Sequence, residues 1–100
     1  MARVLVVDDS DKIRSFFQQV VLLLSHECFL AENGQKGLEL ANKIKPDLII
    51  SDMIMPIMGG RDFIIQLRKI GEFQKTPIII ISAYVTVKEV MDLLNLGGTY

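Results

Sequence analysis

Val4-Leu5-Val6-Val7-Asp8-Asp9 is the stretch on which the rest of the chain turns. Four aliphatic residues in a row are too few for an ordinary helix and show no polar alternation, so they read as a strand buried on both faces. Two carboxylates follow at once, where that strand must end. Similar runs recur at residues 48–50 and Ile78–Ile81, with a weaker one at residues 28–31.

Between these runs the apolar residues fall at helical spacing. Ile13, Phe16, Phe17, Val20, Val21 and Leu24 recur at intervals of three and four, which predicts a helix burying that face, with Ser10 or Asp11 as its N-cap. After Asn33-Gly34, Leu38, Ala41 and Ile44 form a second stripe that must stop before Pro46. Phe63, Ile64, Leu67 and Ile70 form a third, with Gly71 placed to end it. Val87, Val90, Met91, Leu94 and Leu96 form a fourth, ahead of Gly97-Gly98. Strand and helix thus alternate with short connections. That pattern predicts an α/β fold, a doubly wound parallel sheet with helices on both faces.

Composition narrows the function classes. At 100 residues the chain is expected to be one domain over 1–100. Eleven Lys and Arg stand against twelve Asp and Glu, a net charge of −1, so no basic field is available to hold nucleic acid. The longest apolar runs are four or five residues, against the ~20 needed to cross a bilayer. Asp8, Asp9 and Asp11 interrupt the N-terminal stretch too early for a secretory signal. Cys28 is the single cysteine and cannot form an internal disulfide. The expectation is a cytoplasmic domain with no membrane and no direct nucleic-acid contact.

Ligands of open parallel sheets gather beyond the carboxyl ends of the strands, where the strand order reverses. Asp8 and Asp9 end the first strand, Asp52 the third and Ser82 the fourth. Taken singly, Asp8 or Asp9 serves equally well as a cap of the first helix. Three carboxylates on one rim repel each other unless a cation neutralises them. A hard, oxygen-seeking divalent ion, Mg²⁺ above all, suits such a cluster and keeps waters that a phosphate can replace.

Val4-Leu5-Val6-Val7-Asp8-Asp9, Asp52-Met53-Ile54-Met55-Pro56-Ile57-Met58-Gly59-Gly60 and Ile78-Ile79-Ile80-Ile81-Ser82-Ala83 together resemble the receiver domain of two-component response regulators, in order and in spacing. The resemblance implies a flavodoxin-like sheet of order 2-1-3-4-5. It implies that Asp52 is the phosphoacceptor, taking a phosphoryl group from a sensor histidine kinase to give an aspartyl phosphate. Asp9 resembles the direct Mg²⁺ ligand, Asp8 one that acts through water, and Ile54 one that offers its backbone carbonyl beside Asp52. Ser82 resembles the hydroxyl that hydrogen-bonds the phosphoryl oxygens, and Tyr100 the aromatic switch that follows its motion. Such a domain is a signalling switch that catalyses only its own phosphorylation and dephosphorylation, and its output is a changed surface on the fourth helix and fifth strand.

Two departures stand out. Gly59 occupies a position where the family often has Asp, removing a side-chain cap from the third helix. The family's Lys on the fifth strand lies beyond Tyr100, so no residue here takes its role. On this basis the chain is expected to be C-terminally truncated after the fourth helix by ~20 residues. Ile78–Ile81 then becomes an edge strand open to self-association.

The smaller signals have plain structural explanations: Cys28 as a buried apolar residue, His26 as solvent-exposed, and Met53, Met55 and Met58 as loop packing. The glycines form no phosphate-cradling G-x-x-x-x-G-K-[ST] loop. Ile54 and Tyr84 are expected to flank the phosphoryl group and, being bulky, to obstruct the line of water attack on phosphorus. Two other functions compete with the phosphoacceptor. One is a phosphorylation-silent interaction module that keeps the fold but lacks the Lys and the last elements. The other, an α/β hydrolase-type phosphatase, needs a second Asp two residues after the nucleophile, where Ile54 stands.

Overall fold

A computed structural model of the chain describes residues 1–81. Within them lie β1 (Arg3–Val7), α1 (Asp11–Leu23), β2 (Glu27–Ala31), α2 (Gly34–Ile44), β3 (Leu48–Asp52), α3 (Gly60–Arg68), a 3₁₀ turn (Gly71–Phe73) and β4 (Ile78–Ile81). All pairings are parallel, and the strand order is β2-β1-β3-β4. The doubly wound α/β architecture is therefore as expected. The fourth helical stripe and the residues Ser82, Tyr84 and Tyr100 lie outside the described residues.

The unbroken aliphatic strands are explained by cover on both faces. Alternate residues of β1 divide between two cores. Leu5 and Val7 join Ile49, Ile78, Ala41, Phe63, Ile64 and Leu67 on the side of α2 and α3. Val4 and Val6 join Ile50 and Val21 on the side of α1.

Local signals set the helix ends. Ser10 is the N-cap of α1, its Oγ accepting from the Ile13 N–H at 3.3 Å. Asn33 caps α2 by accepting from the Lys36 N–H at 2.9 Å. α2 ends with Lys45 in the left-handed region, φ 52°, directly before Pro46. Gly59 stands at the N-cap of α3 with no side-chain hydrogen bond, as its missing side chain requires.

Four local expectations need correction. On α1 only Val21 is buried, while Ile13, Phe16, Val20 and the C-cap residue Leu24 are exposed. The helix carries two apolar stripes, and the one through Phe17 and Val21 meets the sheet. Gly71 does not end α3, which closes at Lys69; it opens the 3₁₀ turn that buries Phe73. His26 is half-buried, its Nδ1 accepting from the Ala2 N–H at 2.9 Å, which ties the N-terminus to the start of β2. Cys28 is only half-buried, although burial still pushes its thiol pKa up.

Candidate functional site

The strand register builds the site. Val7 pairs with Ala31 on one side and with Ser51 on the other. The residues that follow, Asp8 and Asp52, therefore leave adjacent strands at one level of the rim. Asp9 comes one step further along. One carboxylate oxygen from each of Asp8, Asp9 and Asp52 lies within 4.8 Å of the others.

Each acid is held differently. Asp8 is buried, at 4% exposure. Its N–H donates to the Ala31 carbonyl at 3.1 Å, extending the ladder by one rung. Its Oδ1 accepts from the Ser10 N–H at 2.8 Å, and its carbonyl accepts from Arg14 Nη1 at 2.6 Å. Asp52, the last residue of β3, is half-buried, with Oδ1 accepting from the Met53 N–H at 2.7 Å. Asp9 is exposed.

The electrostatics of Asp8 follow. Burial pushes its carboxyl pKa up, and the charges of Asp52 and Asp9 push it further. The Ser10 N–H and the Arg14 guanidinium pull against them without prevailing. A cation placed among the three acids relieves that conflict. The donors are all carboxylate oxygens, the chemistry that selects Mg²⁺ or a similar hard ion. Two oxygens on one Mg²⁺ stand at most about 4.2 Å apart. Oxygens that all lie within 4.8 Å of one another are close enough to serve one ion, directly or through a bridging water.

The loop from β3 to α3 carries the site's other wall. Met55 is buried in the α2–α3 core, with Met53 and Met58 half-buried against it. Ile54 and Ile57 are 73% and 84% exposed. The Met58 N–H donates to the Pro56 carbonyl at 2.7 Å across Ile57, whose φ of 70° makes this a strained γ-turn. Two glycines hold the loop down. A Cβ at Gly60 would stand 2.1 Å from the Asp52 carbonyl oxygen, and one at Gly34 would stand 2.7 Å from that of Met58. The Gly34 N–H instead donates to the Met58 carbonyl at 2.9 Å.

Of the residues singled out in the sequence, the structure brings Asp8, Asp9 and Asp52 together and places Ile54 two residues past Asp52. Three others were not foreseen. Gly34 and Gly60 stood in recognisable turn motifs, but their close approach to backbone carbonyls had no sequence signal. Arg14 reaches back from α1 to the Asp8 carbonyl, and no spacing rule announces such a contact.

The chain belongs to the response regulator receiver domain family, which it matches over residues 4–100. It is 37% identical over 82 residues to PilH of Pseudomonas aeruginosa, covering 82% of this chain and 68% of PilH. It is 36% identical over 93 residues to the sensor histidine kinase TmoS of Ectopseudomonas mendocina, covering 93% of this chain and 10% of TmoS. Among solved structures, the chemotaxis protein CheY4 of Vibrio cholerae matches with a TM-score of 0.94 at 32% identity, over 99% of this chain and 82% of CheY4. Some relatives are far longer, the chain spanning 10% of TmoS and 44% of the probable transcriptional regulator ycf29 of Porphyra purpurea. No helix among the described residues is long and apolar enough to cross a membrane.

Proposed function

We propose that the chain is a Mg²⁺-dependent phosphoacceptor switch, charged on Asp52 by a sensor histidine kinase. The observation that carries this is the meeting of Asp8, Asp9 and Asp52 at one rim, within 4.8 Å. An Asp52 carboxylate oxygen attacks the phosphorus of a phosphohistidine. The O–P bond forms as the P–N bond breaks, and the departing imidazole takes up a proton. Asp8, Asp9, Asp52 and the Ile54 carbonyl would hold the metal. When bound, Mg²⁺ neutralises the negative charge that Asp52 and the incoming phosphoryl group would otherwise set against each other. Ser82 then hydrogen-bonds the phosphoryl oxygens and Tyr100 follows its movement. Ile54 and Tyr84, the latter outside the described residues, would shield phosphorus from water, so that a full-length form carrying the family's Lys loses its phosphoryl group more slowly than versions with small polar residues at these two positions. The 73% exposure of Ile54 beside Asp52 fits a side chain free to lie over that phosphate.

A segment matching this chain within a protein named as a sensor histidine kinase supports that class of partner. The chain works in the cytoplasm as a switch, with no turnover of a separate substrate and no nucleic-acid contact of its own.

The test is incubation with a small phosphodonor such as acetyl phosphate and Mg²⁺, followed by intact-mass measurement. The expected result is gain of one phosphoryl group, absent from Asp52→Asn and abolished by chelation. No gain in the parent chain would favour a phosphorylation-silent interaction module.

A further inference from the structure

Arg14 and Arg68 are the half-buried Lys and Arg side chains among the described residues, and of the two Arg14 is the one that reaches the acidic rim. Its side chain is only 14% exposed, although it sits on the first turns of a helix. One guanidinium nitrogen donates to the Asp8 carbonyl at 2.6 Å, and the other pairs with the Asp11 carboxylate. The Asp8 carbonyl belongs to the peptide plane that joins Asp8 to Asp9. The exposed Asp9 carboxylate makes no hydrogen bond or ion pair to any described residue, so its position depends on that plane.

We infer that Arg14 is a positioning residue for the acidic cluster, bracing the Asp8–Asp9 peptide so that both carboxylates are presented to a single divalent cation. This rests on the assignment of Asp8, Asp9 and Asp52 as a metal-holding set. Asp11 extends the brace by fixing the guanidinium from the far side, and a planar fork with several N–H donors suits that double grip better than an ammonium.

Charge and geometry make opposite predictions here. Arg14 is a cation beside a cation site, and its charge opposes the upward push on Asp8. If charge were all that mattered, removing it would strengthen metal binding. If it positions the ligands, removing it weakens binding, and groups that orient metal ligands typically change affinity by about 10-fold or more.

Calorimetric titration of the full chain with Mg²⁺, in the parent, Arg14→Gln, Arg14→Lys and Asp11→Ala, separates these. The expected result is about 10-fold weaker binding in Arg14→Gln. Arg14→Lys, which keeps the charge, should also bind more weakly than the parent. Asp11→Ala should show a smaller loss together with a shifted Asp9 amide resonance. Unchanged or tighter binding in Arg14→Gln, with Arg14→Lys matching the parent, overturns the proposal. Should Arg14→Gln fail to fold, unchanged affinity and an unmoved Asp9 resonance in Asp11→Ala overturn it instead. Asp52→Asn reports on the metal-holding set itself: if it binds Mg²⁺ like the parent, that assignment fails whatever Arg14 does.

Discussion

Asp8 shows how a single residue can serve the site at the expense of the fold. Its folded carboxyl titrates above the ordinary Asp value of 3.8, chiefly because it is buried and secondarily because Asp52 and Asp9 repel it. The sign follows: its contribution to stability is fully present below pH 3.8 and is lost as pH rises through the raised value. Asp8→Asn, which keeps an oxygen for the Ser10 N–H, should therefore melt higher than the metal-free parent at pH 7. The gap should close on acidification, and saturating Mg²⁺ should reverse the order by stabilising only the parent. Thermal melts across pH, with and without Mg²⁺, check this. Ile57 makes a similar point through the backbone. A β-branched residue at φ 70° is strained, and its side chain, 84% exposed, recovers little by packing. Ile57→Gly should stabilise the chain by about 1 kcal/mol in urea unfolding. The acids were visible in the sequence because they end strands. The strain at Ile57 was not, because a backbone angle leaves no trace in residue spacing.

At the scale of elements, α1 and the β3–α3 loop carry the lessons. The strands were legible because residues 4–7, 48–50 and Ile78–Ile81 are continuous aliphatic runs, which only a sheet covered on both sides accommodates. α1 was misjudged because its apolar residues form two stripes, and spacing alone does not say which meets the sheet. Burial now decides: Val21→Ala should cost about 2 kcal/mol, whereas Leu23→Glu, at a position 83% exposed, should change stability by no more than about 0.5 kcal/mol. Chemical denaturation of the two variants distinguishes them directly. In the loop, Gly60 sits where any side chain collides with the Asp52 carbonyl. Gly60→Ala should destabilise by roughly 3 kcal/mol and slow phosphorylation of Asp52 beyond what the stability loss explains. The end of α3 was misplaced because glycine marks a break in a helix without saying whether a 3₁₀ turn follows.

For the whole molecule, topology does the chemical work. The order β2-β1-β3-β4 sets β1 beside β3, and a parallel register brings their carboxyl ends to one rim. Acids some forty residues apart in the chain thus become neighbours, which no local feature of either strand accomplishes. The same order leaves β4 and its isoleucines at the end of the described sheet. The metal-holding cluster is tested most directly by Mn²⁺ titration of the ¹⁵N-labelled chain, reading paramagnetic broadening residue by residue. The amides of Asp8, Asp9, Asp52 and Met53 should broaden first and in concert, with the effect weakened in Asp52→Asn. Broadening confined to Asp8 and Asp9, or spread evenly over the surface acids, would contradict a shared cation at the rim.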